Sequence, residues 1–270
     1  MEPTPSGPVV FGAAEPLKLE RGQSAFIRWV KRRRHGLNRF LSKYSLVGDT
    51  PTYDTAYFPW LQPILAAVPQ IRQEALTILQ HSKAIPPFRD FAPGHERIAP
   101  SANDWRSFFF YGYGYPIEEN LKRCPIVADA VKHVPGLVSA IYSVVGPGAH
   151  IRRHRGVSKA IMTAHIGLII PREAEKCRMD VAGTNVIWRE GQAWVFDDTY
   201  EHEVWNETDE VRVLLLIQFR RPMRQPGRIV ADSLVGFVRH SSFVQRARRN
   251  LAYWEDAFRR AERGEEIDLK

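Results

Sequence analysis

Cysteine is almost absent from this chain of 270 residues. Only Cys124 and Cys177 occur, and they are too far apart in sequence to form a CxxC pair. This spacing argues against a disulfide framework and against a zinc site built from thiolates. Such low cysteine use is typical of a reducing compartment, so the sequence favours a cytoplasmic location.

Long apolar runs are also lacking. The longest ones, such as IGLII and VLLLI, fall far short of the roughly 18 residues that a membrane-spanning helix needs. The first residues, MEPTPSGPVVFGAAEP, have neither the basic nor the apolar segment of a secretory signal. We therefore expect a cytoplasmic protein without a transmembrane segment, and peripheral contact with a membrane stays open.

Acidic residues are the scarcer charge, with 30 Asp and Glu against 38 Lys and Arg, which gives a net charge of +8. The basic residues concentrate in 28–35 and 220–250, whereas 197–210 is acidic. This segregation favours anionic partners, either membrane lipids or nucleic acid, although a solvated basic surface would show the same pattern. Nucleic acid is the least favoured partner, because no recognition motif accompanies the charge.

The texture of the sequence divides the chain into four segments of one structural domain. Residues 1–23 form a proline-rich tail, and 24–135 form a helical and aromatic N-terminal part that begins with Ser24 as a helix N-cap. Residues 136–222 form a β-rich core, and 223–270 form a C-terminal helical extension. Within the second segment we predict helices around 71–79 and 117–134, the latter split by Pro125.

Short β-type segments follow one another in the core, separated by Gly, Pro and Asn turns. They are LVSAIYSVV, GPGAHIRRHRG, KAIMTAHIGLIIP, CRMDVAGTNVIW, REGQAWVFDD, HEVWN and VRVLLLIQF. This pattern predicts an all-β sandwich or jelly roll with flanking helices rather than βαβ units. Upstream, the aromatic stretch WRSFFFYGYGY predicts a strand that packs over a core or borders a pocket.

Arg212 stands at the head of the apolar segment VRVLLLIQF. Because side chains alternate along a strand, Arg212 shares a face with Leu214 and Leu216. If that face looks into the barrel, the guanidinium needs an anionic ligand. Alternatively, Arg212 lies at a strand end and pairs with a nearby carboxylate of Glu207, Asp209 or Glu210.

Two histidines of the core are candidate metal ligands. His202 begins the segment HEVW, and His154 lies in GAHIRRHRG, in what we interpret as a turn after a strand. A lone histidine in a β-domain is usually a hydrogen-bonded structural residue. Two imidazoles that meet at one mouth of a β-sandwich would instead suit an ion such as iron(II).

The run SAIYSVVGPGAHIRRHRG…AHIGLIIP…WREGQAWVFDDTYEHEVWN…VRVLLLIQFRRP resembles the aspartyl/asparaginyl β-hydroxylase family of iron(II)- and 2-oxoglutarate-dependent dioxygenases. The resemblance covers about 136–222 and implies a double-stranded β-helix, that is, a cupin-like jelly roll. Upstream, YDTAYFPWLQPI, FFFYGYGYP and RCP look more like the bacterial members that hydroxylate lipid acyl chains than like the animal peptidyl enzymes.

The resemblance implies roles for individual residues. His154 and His202 would bind Fe(II), Arg212 would bind the distal carboxylate of 2-oxoglutarate, Ser143 would assist Arg212, and His165 would lie near the other carboxylate. With O2, such an enzyme hydroxylates an unactivated C–H bond and converts 2-oxoglutarate to succinate. The acceptor would be a peptidyl or free amino acid, or a lipid acyl chain.

Two positions depart from the pattern that the resemblance leads us to expect. Gly156 stands where most related oxygenases have a carboxylate ligand, and Thr163 stands where the family often has an arginine for the cosubstrate. Room for a halide at Gly156 would permit halogenation, and a non-catalytic binding module is a further alternative. Arg152, Arg153 or Lys159 could replace the arginine. Asp197 and Asp198 are predicted either to orient an imidazole or to cap a turn.

Overall fold

The computed structural model describes residues 25–91, 97–101 and 104–266, and within 25–31 it describes the backbone only. The predicted tail and the predicted N-cap at Ser24 lie outside the described residues. The described chain contains two antiparallel sheets that face each other, with helices on the outer side of the larger sheet.

The larger sheet has seven strands in the order β1-β9-β6-β11-β4-β2-β3, and the smaller has four in the order β5-β10-β7-β8. This arrangement is a double-stranded β-helix, so the predicted jelly roll is confirmed. The strands are β1 (Thr52–Tyr53), β2 (Arg106–Gly112), β3 (Tyr115–Pro116), β4 (Leu137–Val145), β5 (His150–His154), β6 (Ile161–Ile169), β7 (Cys177–Val181), β8 (Thr184–Ile187), β9 (Ala193–Phe196), β10 (His202–Asn206) and β11 (Arg212–Arg220).

Seven α-helices are described, and all of them lie outside the predicted core of 136–222. They are α1 (Ala25–Ser42), α2 (Leu61–Ala66), α3 (Val68–Leu79), α4 (Glu118–Arg123), α5 (Pro125–Val131), α6 (Gly227–Arg239) and α7 (Ser242–Glu262). The predicted helix at 71–79 is confirmed, as is the break at Pro125. α1 continues through Gly36, because one glycine costs a helix only about 1 kcal/mol. None of the described helices is both long enough and apolar enough to cross a bilayer.

The alternation of β11 separates the two faces of the larger sheet. Val213, Leu215 and Ile217 pack into the main hydrophobic core beneath the helices. Leu214 faces the opposite way, into a second core between the sheets that includes Met179 and Trp188. Arg212 shares the face of Leu214 and therefore lies inside the barrel, at the end that this second core fills.

The aromatic stretch forms a hairpin rather than one strand. β2 and β3 pair across a turn at Tyr113 and Gly114, both of which have positive φ. Phe108 and Phe110 of β2 are buried in the main core. The predicted packing over a core is confirmed, and Trp105, just before β2, contacts the barrel interior.

Candidate active site

His154 and His202 lie side by side in the smaller sheet. His154 is the last residue of β5, His202 is the first of β10, and the two are direct partners in the antiparallel register. Their ring centroids are 4.0 Å apart. The interpretation of His154 as part of a turn was wrong, because His154 is still in β5 and pairs there with the first residue of β10.

The backbone fixes the tautomer of both imidazoles. Nδ1 of His154 lies 2.8 Å from the carbonyl oxygen of Arg152, and Nδ1 of His202 lies 3.0 Å from that of Tyr200. A carbonyl only accepts, so each Nδ1 carries the proton and each Nε2 carries the lone pair. This is the form in which an imidazole binds a metal through Nε2.

Burial keeps both rings in the neutral form. It lowers the pKa of His154, and it lowers the pKa of His202 to about 3, with His154 as the next cause. Metal ligands must be unprotonated, so the pair is ready to bind a cation near neutral pH. Among the described residues no third His, Cys, Asp or Glu joins them in a metal-binding group, and the protein would contribute two ligands.

Arg212 is buried inside the barrel with 1% of its surface exposed. Its guanidinium carbon lies 4.6 Å from the centroid of the Trp188 ring, and its Nε and Nη1 atoms have no hydrogen-bond partner. Burial lowers its pKa to about 10. Two donor nitrogens left unpaired at such a depth are costly, which indicates a place for an anionic ligand.

The alternative interpretation of Arg212, as a strand-end residue paired with a nearby carboxylate, was wrong. Glu207 pairs with Arg178 at 2.6 Å, and Glu210 pairs with Arg172 at 2.9 Å. The guanidinium of Arg212 has no ion pair with any described carboxylate. Glu207 and Glu210 therefore form ion pairs at the protein surface, whereas the Arg212 guanidinium faces inward.

His165 connects the arginine electrostatically to the histidine pair. It lies on β6 opposite Leu216 of β11, and its ring centroid is 4.9 Å from that of Phe196. Burial pushes its pKa well below the usual value, and the positive charge of Arg212 lowers it further. His165 is therefore neutral, and its Nδ1 has no partner.

Ser143 lies on β4, opposite Leu214 of β11 and next to the interior position of Arg212. Its hydroxyl accepts a hydrogen bond of 3.0 Å from the indole Nε1 of Trp105. Trp105 itself stacks on Phe88 with ring centroids 3.8 Å apart. Sequence reasoning predicted an aromatic strand here but did not identify Trp105 as the residue that positions Ser143.

Gly156 is fixed by its contact with Asp198. The Gly156 N–H donates to the carbonyl of Asp198 at 2.6 Å, and a Cβ at Gly156 would come within 2.1 Å of the Asp198 Oδ1 atom. No side chain fits here unless Asp198 moves. The space beside the Gly156 Cα is filled by the Asp198 carboxylate. Burial, and next the charge of Asp197, raises the pKa of Asp198 to about 7.

Asp197 caps its turn and anchors a buried ion cluster. Its Oδ1 accepts from the N–H and hydroxyl of Thr199, at 2.9 and 2.6 Å. Its Oδ2 pairs with Arg221 and, at 2.7 Å, with Lys159. The predicted turn cap is confirmed, whereas the imidazoles are oriented by backbone carbonyls instead of aspartates. Nothing in the sequence singled out Arg221.

The position of Thr163 is buried, and its hydroxyl has no hydrogen-bond partner. Lys159 does not substitute for the expected arginine, because it pairs with both Asp49 and Asp197. Arg153 pairs with Glu203 at 3.1 Å and is exposed, and Arg152 is also exposed. The described site therefore holds one inward guanidinium, that of Arg212.

The donor set fits iron(II) and a small dicarboxylate. Two neutral imidazoles are aligned on one side of the barrel, and a buried guanidinium with unpaired N–H groups lies further in. Imidazoles are ordinary ligands of iron(II), and a guanidinium binds a carboxylate bidentately. Fold and site together define a double-stranded β-helix protein whose barrel holds a pair of neutral histidines and an inward-facing arginine.

Comparison with known proteins shows the family. The family model for Aspartyl/Asparaginyl beta-hydroxylase matches residues 66–222, and the chain belongs to this family. Among the curated relatives, an ornithine lipid ester-linked acyl 2-hydroxylase of Rhizobium tropici is 37% identical over 216 residues, which are 80% of this chain and 76% of that protein. The human aspartyl/asparaginyl beta-hydroxylase is 28% identical over 161 residues, 58% of this chain and only 20% of that protein.

Solved structures with a similar fold are more distant. A prolyl hydroxylase from Trichoplax adhaerens, in complex with a peptide fragment, is 11% identical with a TM-score of 0.43, over 77% of this chain and 97% of that one. A cupin domain of Schizosaccharomyces pombe is 12% identical with a TM-score of 0.30, over 43% of this chain and 65% of that one.

Proposed function

We propose that this protein is an iron(II)- and 2-oxoglutarate-dependent dioxygenase that hydroxylates an unactivated C–H bond of a lipid acyl chain. The observation that carries the proposal is the buried Arg212, whose Nε and Nη1 atoms have no partner, in the same barrel as the His154 and His202 pair. Membership of a hydroxylase family supports the reaction type.

His154 and His202 would hold the iron through their Nε2 atoms, since their Nδ1 protons are engaged by backbone carbonyls. The bound iron, with 2-oxoglutarate and O2, supplies the oxidising chemistry and the decarboxylation to succinate. The protein's own task is to place the reactants and to exclude water. The short carbonyl contacts hold each ring in one orientation, as is usual for histidine ligands.

Arg212 would bind the distal carboxylate of 2-oxoglutarate through Nε and one terminal nitrogen. Trp188 covers the guanidinium on one side, so the charge pair would form away from water, where it is strong. Neutral His165 adds no competing positive charge and offers an imidazole nitrogen to the cosubstrate. The bond from Trp105 holds the Ser143 hydroxyl on the same interior face.

A lipid acyl chain is supported as acceptor by the interior surface beyond Arg212. Leu216 follows Leu214 on this face of β11 and lies opposite Ile141 of β4. Both are buried, with 8% and 3% exposed, but neither belongs to a packed hydrophobic cluster. They offer apolar contact surface close to His165. The relative that this chain matches over most of both lengths is an acyl 2-hydroxylase, which supports the same acceptor.

The proposal is tested by product analysis. Protein loaded with iron(II) under nitrogen is given 2-oxoglutarate, air and either an ornithine lipid or an aspartate-containing peptide. We expect succinate together with a lipid that has gained one oxygen atom. Succinate with an oxidised peptide only would overturn the lipid acceptor but keep the reaction.

The histidine variants test the metal site in the same assay. His154→Ala and His202→Ala are expected to lose turnover and to bind iron(II) at least about 10–100-fold more weakly. The matched control is His150→Ala, which removes a half-exposed histidine of β5 that pairs with Glu203. Binding of iron and 2-oxoglutarate without succinate from any acceptor would instead favour a non-catalytic binding module.

A further inference from the structure

The chain carries a basic surface made by α1, by the segment 43–46 that follows it, and by α6. Helices α1 and α6 pack together, and Tyr44 lies directly against Gly227 at the start of α6. The Leu46 N–H donates to the carbonyl of Pro222 at 2.9 Å, which ties the segment to the residues before α6. We call this the α1–α6 surface.

The charge of the α1–α6 surface has one sign over most of its extent. Between residues 25 and 48 the sequence contains no Asp or Glu, and the same holds for residues 220–231. Arg32, Arg39 and Lys43 are exposed and recur at helical spacing, so they line one side of α1 and of the residue that follows it. None of these three has an ion pair with a described carboxylate. The surface is thus complementary to an anionic partner.

Large apolar side chains are exposed within the same surface. Leu46 is 62% exposed, and Ile229, in the first turn of α6, is 59% exposed. Isolated apolar residues are ordinary on protein surfaces, but apolar residues flanked by cations are the composition of interfacial membrane anchors. Leu46 follows the exposed Lys43, and Arg228 next to Ile229 pairs with Asp232 at 3.8 Å. Nucleic acid is bound chiefly through phosphate contacts and stacking on aromatic rings, so exposed aliphatic side chains make a bilayer the better match.

The α1–α6 surface is joined to the rim of the candidate active site. Asn38 of α1 donates to the carbonyl of Val157 at 3.2 Å and accepts from the N–H of Lys159 at 3.0 Å. Val157 is 40% exposed and lies three residues after His154. Two hydrogen bonds therefore join α1, the helix with the basic side, to the loop that follows His154, a proposed iron ligand.

We propose that the α1–α6 surface docks on an anionic lipid bilayer, with Leu46, Ile229 and Val157 entering the headgroup region. This inference rests on the lipid acceptor proposed above and adds the route by which that acceptor arrives. Docking would bring the loop after His154 to the bilayer surface, where an acyl chain has only to leave its own leaflet. The enzyme would then take its substrate from the membrane instead of from water.

Vesicle co-sedimentation tests the docking surface. The full chain is mixed with two kinds of vesicle. One kind contains phosphatidylcholine alone, and the other contains phosphatidylcholine with about 30% phosphatidylglycerol, an ordinary anionic content for such vesicles. We expect binding only to the anionic vesicles. Each basic residue near an anionic surface contributes roughly a fivefold effect, so the triple variant Arg32→Glu, Arg39→Glu, Lys43→Glu should bind at least about tenfold more weakly.

Two further variants distinguish binding by the α1–α6 surface from a general effect of net charge. Leu46→Ser with Ile229→Ser should weaken vesicle binding at unchanged net charge. Lys83→Glu with Arg249→Glu, exposed basic residues outside this surface, should bind better than the triple variant. Equal loss from both sets, no loss from the triple variant, or tighter binding to a DNA duplex than to the vesicles would each overturn the proposal.

Turnover distinguishes this inference from the proposed function. In detergent micelles, where no bilayer is needed, the triple variant should convert the lipid at the wild-type rate, whereas in anionic vesicles it should be slower by about tenfold or more. Equal rates of wild type and variant in vesicles would refute docking while the lipid hydroxylase stands. Vesicle binding without turnover in either medium would refute the lipid hydroxylase but keep the surface.

Discussion

Two buried arginines flank strand β11 and differ in their hydrogen bonds. Arg221, just after the strand, is 3% exposed, and Arg212, at its start, is 1% exposed. Arg221 donates to the carbonyls of Lys159 and Gly48, to the hydroxyl of Tyr53 and to Asp197. Arg212 leaves Nε and Nη1 without a partner and rests on the ring of Trp188.

The difference shows how a structural buried charge is distinguished from a ligand-binding one. A guanidinium with satisfied donors belongs to the fold, because its cost of burial is offset within the protein itself. For a guanidinium with unpaired buried donors, the cost of burial is offset only when a ligand binds. Arg221 binds Asp197, which caps the turn before His202, whereas Arg212 is proposed to bind a dicarboxylate in the same barrel.

The largest effect is expected from Arg221→Met. Its removal leaves the buried Asp197 with Lys159 as its one remaining ion-pair partner among the described residues, so we expect the free energy of unfolding to fall by about 3–5 kcal/mol. Urea denaturation followed by circular dichroism measures this. Arg220→Met is the matched control, because Arg220 forms an exposed pair with Asp232 and should cost less than about 1 kcal/mol. Equal losses of unfolding free energy in the two variants would contradict the structural role of Arg221.

Arg212→Met should act through the ligand instead. In wild type, 2-oxoglutarate at a hundredfold excess over its Kd raises the free energy of unfolding by about 2.7 kcal/mol. The variant should lose this increment, whereas its stability without ligand should be equal or higher, because an unpaired buried charge is gone. Denaturation with and without 2-oxoglutarate checks both. A large loss without ligand would make Arg212 a structural residue like Arg221.

Asp90 is a buried acid to which the same argument about unpaired buried groups applies. It is 1% exposed, its Oδ2 lacks a partner, and burial raises its pKa to about 6. The folded state then keeps the proton to higher pH than the unfolded state, so the contribution of Asp90 to stability declines as pH rises from about 4 to 6. Asp90→Asn should therefore stabilise the protein at pH 8, by about 1–3 kcal/mol relative to the difference at pH 4.5. No change with pH in the difference between variant and wild type would refute this.

The smallest effect is expected from Trp105→Phe. This change keeps the stacking surface on Phe88 but removes the donor to the Ser143 hydroxyl. One neutral hydrogen bond contributes about 1 kcal/mol, so 2-oxoglutarate affinity should fall by up to about fivefold with iron affinity unchanged. Calorimetric titration measures both affinities. An equal loss of iron affinity would mean that Trp105 supports the barrel in general.

The turn signals of the core were enough to predict a sandwich or jelly roll, and the alternation of β11 was enough to place Arg212 on the face of Leu214 and Leu216. Whether that face looks into the barrel stayed open in the sequence, and only the resemblance implied a ligand for Arg212. The adjacency of His154 and His202 was not predictable in detail, because the register between β5 and β10 depends on long-range pairing that no local pattern encodes. Arg221 sits in the sequence RRPMR and reads as part of a basic surface run. Only the fold reveals that it is buried against Asp197.

Lys159 and Gly156 were misread for the same reason. Lys159 looked available to bind a cosubstrate, but the ion cluster with Asp49 and Asp197 occupies it. Gly156 looked like an open position, but the Asp198 side chain fills the space beside it. In both cases the decisive neighbour comes from a distant part of the chain, which sequence spacing does not reveal.

The account depends on the histidine pair and Arg212 acting on one ligand. Calorimetric titration of 2-oxoglutarate under nitrogen, with and without iron(II), tests this most directly. We predict that iron strengthens 2-oxoglutarate binding by about tenfold or more, a coupling within the range usual for two linked ligands. The effect should vanish in His202→Ala and persist in His150→Ala. The same affinity with and without iron in the wild type would contradict the account.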